Sequence, residues 1–214
     1  MSHYTEEEQI AQMKDWWQRN GKSLILGVIV ALALVIGWQT WQKREAQQAE
    51  NMSVLYQQLL EASFSENTDL ATAAELLNKL DEAGSNHAYT QYARLIVARL
   101  AVDEGRLADA QAELAKVEAK PASNTLGELA QQRLARVLAA QGKAEDALQL
   151  LTGKGLPAYQ AMRDELRGDI LMQLGRAQEA RTAYLQAQKN LPEAEAAADG
   201  LLLMKLDSLA QKDS

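Results

Sequence analysis

The sequence predicts an all-α protein in which one membrane-spanning helix near the N-terminus is followed by a solenoid of α-hairpins. Three observations carry that expectation. No charged residue occurs between Lys22 and Lys43, and the stretch LILGVIVALALVIGW from Leu24 to Trp38 is apolar or small throughout. From residue 42 onward Ala, Leu, Gln and Glu dominate, and the whole chain holds three prolines and few β-branched runs, which is a helical composition. A hexapeptide of Gly, a base, two residues, an acid and Ala is written three times, as GRLADA at 105–110, GKAEDA at 142–147 and GRAQEA at 175–180.

Residues 1–22 form a leading segment. Ile10, Met13, Trp16 and Trp17 fall at helical spacing within it, so it reads either as a short amphipathic helix lying on the membrane surface or as an extension of the spanning helix.

Residues 23–42 are the predicted span. Twenty uncharged residues at about 1.5 Å each reach about 30 Å, the hydrocarbon thickness of a bilayer. All four tryptophans flank the run, Trp16 and Trp17 before it and Trp38 and Trp41 at its exit, where indole rings sit at the two headgroup levels. A soluble core helix is seldom apolar all round for this length. A cleaved signal would need a basic start and a small-residue cut site. Instead the leader carries Glu6, Glu7, Glu8 and Asp15, and the apolar core runs into QTWQKRE, so the segment reads as an uncleaved anchor. Lys14, Arg19 and Lys22 precede it and Lys43 and Arg44 follow, a bias that leaves orientation open on charge alone.

Residues 43–214 are read as the repeat domain. The glycines Gly105, Gly142 and Gly175 lie 37 and 33 residues apart, a period that suggests stacked units. Each glycine falls between two apolar-periodic segments. It is expected to take the left-handed backbone just past a helix end, with the neighbouring base approaching the orphan carbonyls there. Small residues stand seven before each glycine, at Ala98, Ala135 and Gly168, and five after it, at Ala110, Ala147 and Ala180, so each unit is expected to be a tight antiparallel hairpin. Pro121, Pro157 and Pro192 follow those alanines by 11, 10 and 12 residues and mark the handover to the next unit. Upstream, Glu45–Ser63 and Asp69–Glu82 read as a degenerate hairpin whose turn, FSENTD, lacks the glycine signature. Downstream, the periodic segment Glu193–Ala210 reads as a lone capping helix, with the final QKDS expected to fray.

A small residue, Gly, Ala and Pro at these offsets resemble the tetratricopeptide repeat, a hairpin of about 34 residues that stacks into a superhelix. The resemblance covers residues 86–192. It departs from the pattern where the usual tryptophan and tyrosine of the first helix are missing and where the first interval is longer, so irregular joints are expected.

Catalytic constellations are not found. The chain has no cysteine, which excludes a disulfide framework, a thiol nucleophile and cysteine metal sites. Its only histidines, His3 and His87, lie in unrelated segments and make no metal-binding pair; His87 reads as a surface or helix-start residue. NGKS at 20–23 lacks the glycine and strand of a phosphate-binding loop, GKG at 153–155 reads as a turn ahead of Pro157, and no G-x-S-x-G elbow occurs. The adjacent carboxylates Asp103 and Glu104, and Asp164 and Glu165, read as a solvated face. With 22 basic and 29 acidic residues the chain carries −7, which argues against nucleic acid. No cofactor and no enzymatic activity are expected.

The whole chain is similar to the bacterial ancillary subunit of the Sec translocon. The similarity lies in NGKSLILGVIVALALVIGWQTWQ, with Asn20, Gly21 and Lys22 before the span and Gly37, Trp38 and Trp41 at its exit, and in the hairpins RLARVLAAQGKAEDALQLL and LRGDILMQLGRAQEARTAY. That resemblance implies a cytoplasmic N-terminal segment (1–22), an inner-membrane helix (23–42) and a periplasmic repeat domain (43–214). It also implies association with Sec translocon subunits and with a membrane-anchored periplasmic chaperone, so that emerging secretory chains meet the chaperone early. The alternative from another class is a membrane-tethered negative regulator that sequesters a cytoplasmic signalling factor.

In tetratricopeptide-like stacks the first helices line a groove. Equivalent places there are Tyr92, Arg99 and Val102, then Leu129, Arg136 and Ala139, then Met162, Asp169 and Met172. The stacked arginines are candidates for carboxylates of a partner's tail and the methionines for varied apolar side chains. The bland reading is that the arginines make internal ion pairs and the methionines fill the core. Within the span, Gly27 and Ala31 make a small-xxx-small step able to seat another helix.

Overall fold

The computed structural model describes residues 6–64, 69–192 and 200–210, which are helical or in turns between helices. The chain divides into two compact units, residues 1–51 and 52–214.

The first unit is built on α1, Glu6–Phe64. This helix runs through Gly21 without a break, so of the two readings of the leading segment the extension is the one formed. Gly21 lies under the indole of Trp17, one turn earlier: a Cβ there would stand 3.2 Å from Trp17 Cε2. Every side chain from Leu24 to Trp41 is exposed. Two polar side chains at its margins bond within the helix itself, Asn20 Nδ2 donating to Trp16 O at 3.1 Å and Thr40 Oγ1 to Gly37 O at 2.9 Å, which suits an apolar surrounding.

The second unit begins with the last turns of α1, whose Met52 and Leu59 are fully buried. Next comes α2, Leu70–Gly84, started by Asp69, whose carboxylate accepts from Ala71 N and Thr72 N. These two segments take the place of the expected first hairpin; positions 65–68 of its FSENTD turn lie outside the described residues. Three hairpins follow. They are α3 (Ala88–Asp103) with α4 (Leu107–Ala119), α5 (Asn124–Ala140) with α6 (Ala144–Leu150), and α7 (Gln160–Gln173) with α8 (Ala177–Asn190). The first helices meet one another, α3 touching α5 and α5 touching α7. Helix α9, Gly200–Ala210, packs on α8; residues 193–199 of the expected capping helix and the terminal QKDS lie outside the described residues.

The repeated glycines close their helices in one way. Gly105, Gly142 and Gly175 have φ of +74°, +79° and +72°, the region where a side chain is strained. Each makes a Schellman turn: Arg106 N reaches Ala101 O and Gly105 N reaches Val102 O, with the same pair of bonds at Lys143 and Gly142 and at Arg176 and Gly175. The base contributes differently from the sequence expectation. Its backbone N–H, not its side chain, satisfies the orphan carbonyl. The arginine side chains instead reach forward to the acid of the same hexapeptide, Arg106 Nε to Asp109 Oδ2 at 2.6 Å and Arg176 Nε to Glu179 Oε1 at 2.6 Å. The acid also suits the positive end of the new helix.

The small positions are places of close approach. Ala110, Ala135, Ala147 and Ala180 are wholly buried, and at Gly168 the neighbour is the Tyr184 ring of α8. Leu80, Leu114 and Val117 belong to the largest core cluster, which runs from Met52 to Val137; burying each leucine is worth roughly 1.5–3 kcal/mol. Two smaller clusters continue it, one around Leu151 and Ile170 and one around Tyr184, Leu202 and Leu209.

The irregular joint falls after α6, which has only 7 residues. Buried Arg163 of α7 explains its early end, for its guanidinium donates to Leu150 O, Leu151 O and Thr152 O at 3.3–3.4 Å. A side chain thereby replaces the carbonyl partners that a longer helix would supply.

Candidate functional site

The 37-residue period puts Arg99 of α3 and Arg136 of α5 at equivalent places, and also Ile96 and Arg133. Because α3 and α5 are neighbours, these side chains meet across one cleft of about 500 Å³. Its walls are apolar, with Leu95, Ala98 and Val102 from α3, Val137 from α5, and Leu107 and Leu114 reaching in from α4. Three guanidiniums open onto it, those of Arg99, Arg133 and Arg136.

The three cations differ in how they are held. Arg133 is half-buried and donates to Leu95 O at 3.5 Å. Burial first, and then the charges of Arg136 and Arg99, push its guanidinium below its ordinary value; arginine nevertheless remains protonated in proteins. Arg99 meets Asp103 Oδ2 at 3.5 Å and Ser63 O at 3.4 Å, with its Cζ 5.8 Å from the Phe64 ring centroid. The Arg99–Asp103 pair is exposed on both sides, and such pairs are worth little. Arg136 is exposed and has no ion pair among the described residues.

Of the residues singled out from sequence, Arg99, Val102 and Arg136 are brought together here. The others lie elsewhere. Tyr92 is exposed beside Tyr56, ring centroids 6.4 Å apart. Leu129 is half-buried against the largest core cluster. Ala139 packs against the cluster around Leu151. Met162 is exposed outside the cleft. Met172 is half-buried against the Tyr184 cluster, so the core-filling reading describes it. Asp169 is not an open groove residue: its carboxylate accepts from Tyr184 Oη at 2.8 Å and pairs with Lys205 Nζ at 2.7 Å. The reason is α9, which brings Lys205 to Asp169 and to Glu165 Oε1 at 2.6 Å. Lys205 follows Asp169 by 36 residues, so it continues the row of Arg99, Arg136 and Asp169 by about one period.

Two buried polar nodes escaped the sequence reading. Arg163, 2% exposed, pairs through Nη1 with Glu128 Oε1 at 2.9 Å and Gln131 Oε1 at 2.7 Å. Glu128 also accepts from Gln132 Nε2 and from Leu156 N. Burial pushes the Glu128 carboxyl up, but the hydrogen bonds from Gln132, Arg163 and Leu156 outweigh it and hold the group below its ordinary value. In the preceding unit Arg94 pairs with Asp81 and Glu113. Gln91, 37 residues before Glu128, pins the approach to α5, donating to Lys120 O at 2.8 Å and accepting from Ala122 N at 2.7 Å. A signal existed: polar residues recur at the repeat period on core-facing positions. The expectation of a solvated face at Asp164 and Glu165 is overturned. Asp164 is buried and accepts from Gln160 and Asn190, and Glu165 holds Lys205. His87 starts α3, its Nδ1 accepting from Tyr89 N at 3.3 Å.

In the first unit the 18-residue window of highest apolarity has a mean hydropathy of 2.1 and none of it is buried. It is the one candidate membrane span among the described residues. Trp16, Trp17, Trp38 and Trp41 are exposed, and the rings of Trp38 and Trp41 lie 5.3 Å apart. Along the helix Trp17 and Trp38 are separated by about 31 Å at 1.5 Å per residue, a bilayer core's thickness. Beside Gly27 there is open space, with nothing within 4 Å of an added Cβ; Ala31 is exposed one turn on.

Residues 14–211 match the tetratricopeptide repeat-like domain family. The chain is 31% identical over 206 residues to the ancillary SecYEG translocon subunit of Escherichia coli strain K12, covering 96% of this chain and 97% of that one. It is similar as well to proteins of the same name from Haemophilus influenzae, 28% identical with 95% and 97% covered, and Neisseria gonorrhoeae, 28% identical with 97% and 99% covered.

Proposed function

Since the chain belongs to the family of ancillary SecYEG translocon subunits, with their tetratricopeptide repeat-like domain, we propose that it is a membrane-tethered scaffold that holds a chaperone beside the translocation channel. Residues 1–22 face the cytoplasm, residues 23–42 lie in the inner-membrane lipid, and residues 43–214 form a periplasmic domain. The domain binds a membrane-anchored periplasmic chaperone, and the span and domain together associate with Sec translocon subunits. An emerging secretory chain then meets the chaperone before it aggregates.

The observation that carries the reading is the bare apolar stretch of α1, exposed from Leu24 to Trp41, in a helix whose last turns enter a repeat core. Leaving the fourteen apolar side chains of this stretch in water would be prohibitive at roughly 25 cal/mol per Å², whereas lipid is their natural surrounding. The cytoplasmic placing of residues 1–22 rests on the family resemblance, since three bases before the span against two after it leave orientation open on charge alone. Open space beside Gly27 and Ala31 suits close approach of a channel helix. Tethering supplies the mechanism, because two modules fixed to one membrane complex meet at a raised effective concentration. No bond-making chemistry is needed.

Crosslinking in intact membranes tests it. Photoreactive groups at Gly27 and at Val102 are expected to capture channel subunits and a periplasmic chaperone respectively. Capture of neither would remove the proposal. Protease accessibility of the repeat domain from the cytoplasmic side alone would favour the alternative, sequestration of a cytoplasmic signalling factor.

A further inference from the structure

We infer that the cleft between α3 and α5 docks an acidic polypeptide segment whose carboxylate is flanked by apolar side chains, with Arg133 as the central cation. The inference rests on the scaffold reading above and adds the chemistry of what the scaffold grips.

Charge is the first argument. Arg99 and Arg136 both act on Arg133, and each disfavours its charged form. Three like charges around one cleft repel one another, and an anion between them relieves that repulsion. Elsewhere in the same row the chain supplies its own counter-charge: Asp169 meets Lys205 from α9. For the arginines the described residues supply only the exposed Asp103 at 3.5 Å.

The walls decide the kind of anion. Leu95, Val102, Leu107, Leu114 and Val137 offer apolar surface next to the guanidiniums. A small inorganic anion would leave that surface unused. A carboxylate on a chain with neighbouring Leu, Ile, Val or Phe uses both, because the planar guanidinium fork matches a carboxylate and its carbon stem tolerates apolar contact. A volume of about 500 Å³ has the size of a pocket for a few side chains. Val102 and Arg136 are exposed at the mouth, which leaves the cleft open to an incoming segment.

The test uses the full chain in phosphatidylcholine nanodiscs and a displayed library of random dodecapeptides. Selection is run on the native protein and, in parallel, on Arg99→Gln/Arg136→Gln. Peptides enriched on the native protein are expected to carry Asp or Glu within a few residues of large apolar side chains. A synthetic copy followed by fluorescence anisotropy is expected to bind about tenfold more weakly to the double variant, and similarly when its acids are changed to amides. Arg99→Lys/Arg136→Lys, which keeps charge but loses the fork, is expected to fall in between. Thermal melts of both variants check that the fold persists; if the glutamine pair melts early, Arg133→Met serves instead.

The inference is overturned if the library yields no enrichment over the double variant, or if enriched peptides lack acids. It is also overturned if phosphatidylglycerol vesicles displace the peptide and bind by the same arginines, which would assign the cleft to lipid headgroups. Retained crosslinks to channel subunits alongside a failed selection would remove only this assignment. Lost crosslinks in the native protein would remove the scaffold reading whatever the peptides do.

Discussion

The ring of Tyr184 occupies the space that a side chain on Gly168 would need. A Cβ on Gly168 would overlap Tyr184 Cδ1 and Cε1 and stand 2.9 Å from Cζ. The tyrosine cannot simply turn away, because its hydroxyl donates to Asp169 Oδ1 at 2.8 Å and its ring is buried. α7 and α8 therefore close on each other through an aromatic ring seated on a bare backbone.

Gly168→Ala is expected to destabilise the repeat domain. In an unconstrained helix interior the same change stabilises by roughly 0.5–1 kcal/mol. Overpacking against the ring costs about 1–3 kcal/mol, so the sign reverses. Denaturant unfolding measures it, and Tyr184→Leu introduced on top of Gly168→Ala is expected to return part of the loss, a coupling that a double-mutant cycle isolates.

Gly142→Ala tests the backbone alone. Its φ is +79° and nothing lies within 4 Å of an added Cβ, so no clash contributes. The left-handed conformation should cost an alanine about 1–2 kcal/mol. Gly142→Asn, which tolerates that region better, is expected to cost less. Equal melting temperatures for Gly142→Ala and the native protein would show that the Schellman turn does not constrain the chain there.

Glu128 should give the domain an acid-side pH dependence. Its folded pKa is held below the ordinary 4.5, so its contribution is present above that value and is lost as pH falls from about 4.5 through the folded value. Glu128→Gln leaves Arg163 in the core without its carboxylate partner. Breaking such a pair costs about 3–5 kcal/mol, less where an amide keeps some hydrogen bonds. The expected result is a lower melting temperature than native at pH 7 and a gap that narrows as pH is lowered below 4.5. A gap constant from pH 7 to pH 3 would contradict the assignment.

These tests separate what the sequence made visible from what it hid. The hairpin ends were legible because a Schellman turn needs a residue type, and Gly105, Gly142 and Gly175 supply it at a readable spacing. The apolar anchor was legible because composition alone determines whether about twenty residues suit lipid. That Arg99 and Arg136 share one cleft was legible by counting positions, since equivalent places in stacked units adjoin. Arg133 was not, because it replaces the apolar Ile96 of the preceding unit, and period alone does not say when a cation will stand at a core-facing place. Asp169 was misjudged as an open groove residue for a different reason. Its fate depends on Lys205, 36 residues on, about one period further along the row, in a closing helix that lacks the glycine hexapeptide by which the row was counted.

The anchor can be tested by charge. Val30 and Leu34 sit one turn apart in the exposed apolar stretch, near the middle of residues 23–42. An aspartate near the centre of a span costs about 2.5–3.5 kcal/mol on insertion scales, so Val30→Asp/Leu34→Asp should cost roughly 5–7 kcal/mol, enough to offset much of the gain from burying the remaining side chains. The double variant is expected to move from the carbonate-resistant membrane pellet to the soluble or degraded fraction. Trp38→Ala/Trp41→Ala is expected to stay in the pellet, because its effect falls on depth and tilt rather than on partition. If both variants remained membrane-bound to the native extent, the stretch from Leu24 to Trp41 would not be what holds the chain in the bilayer.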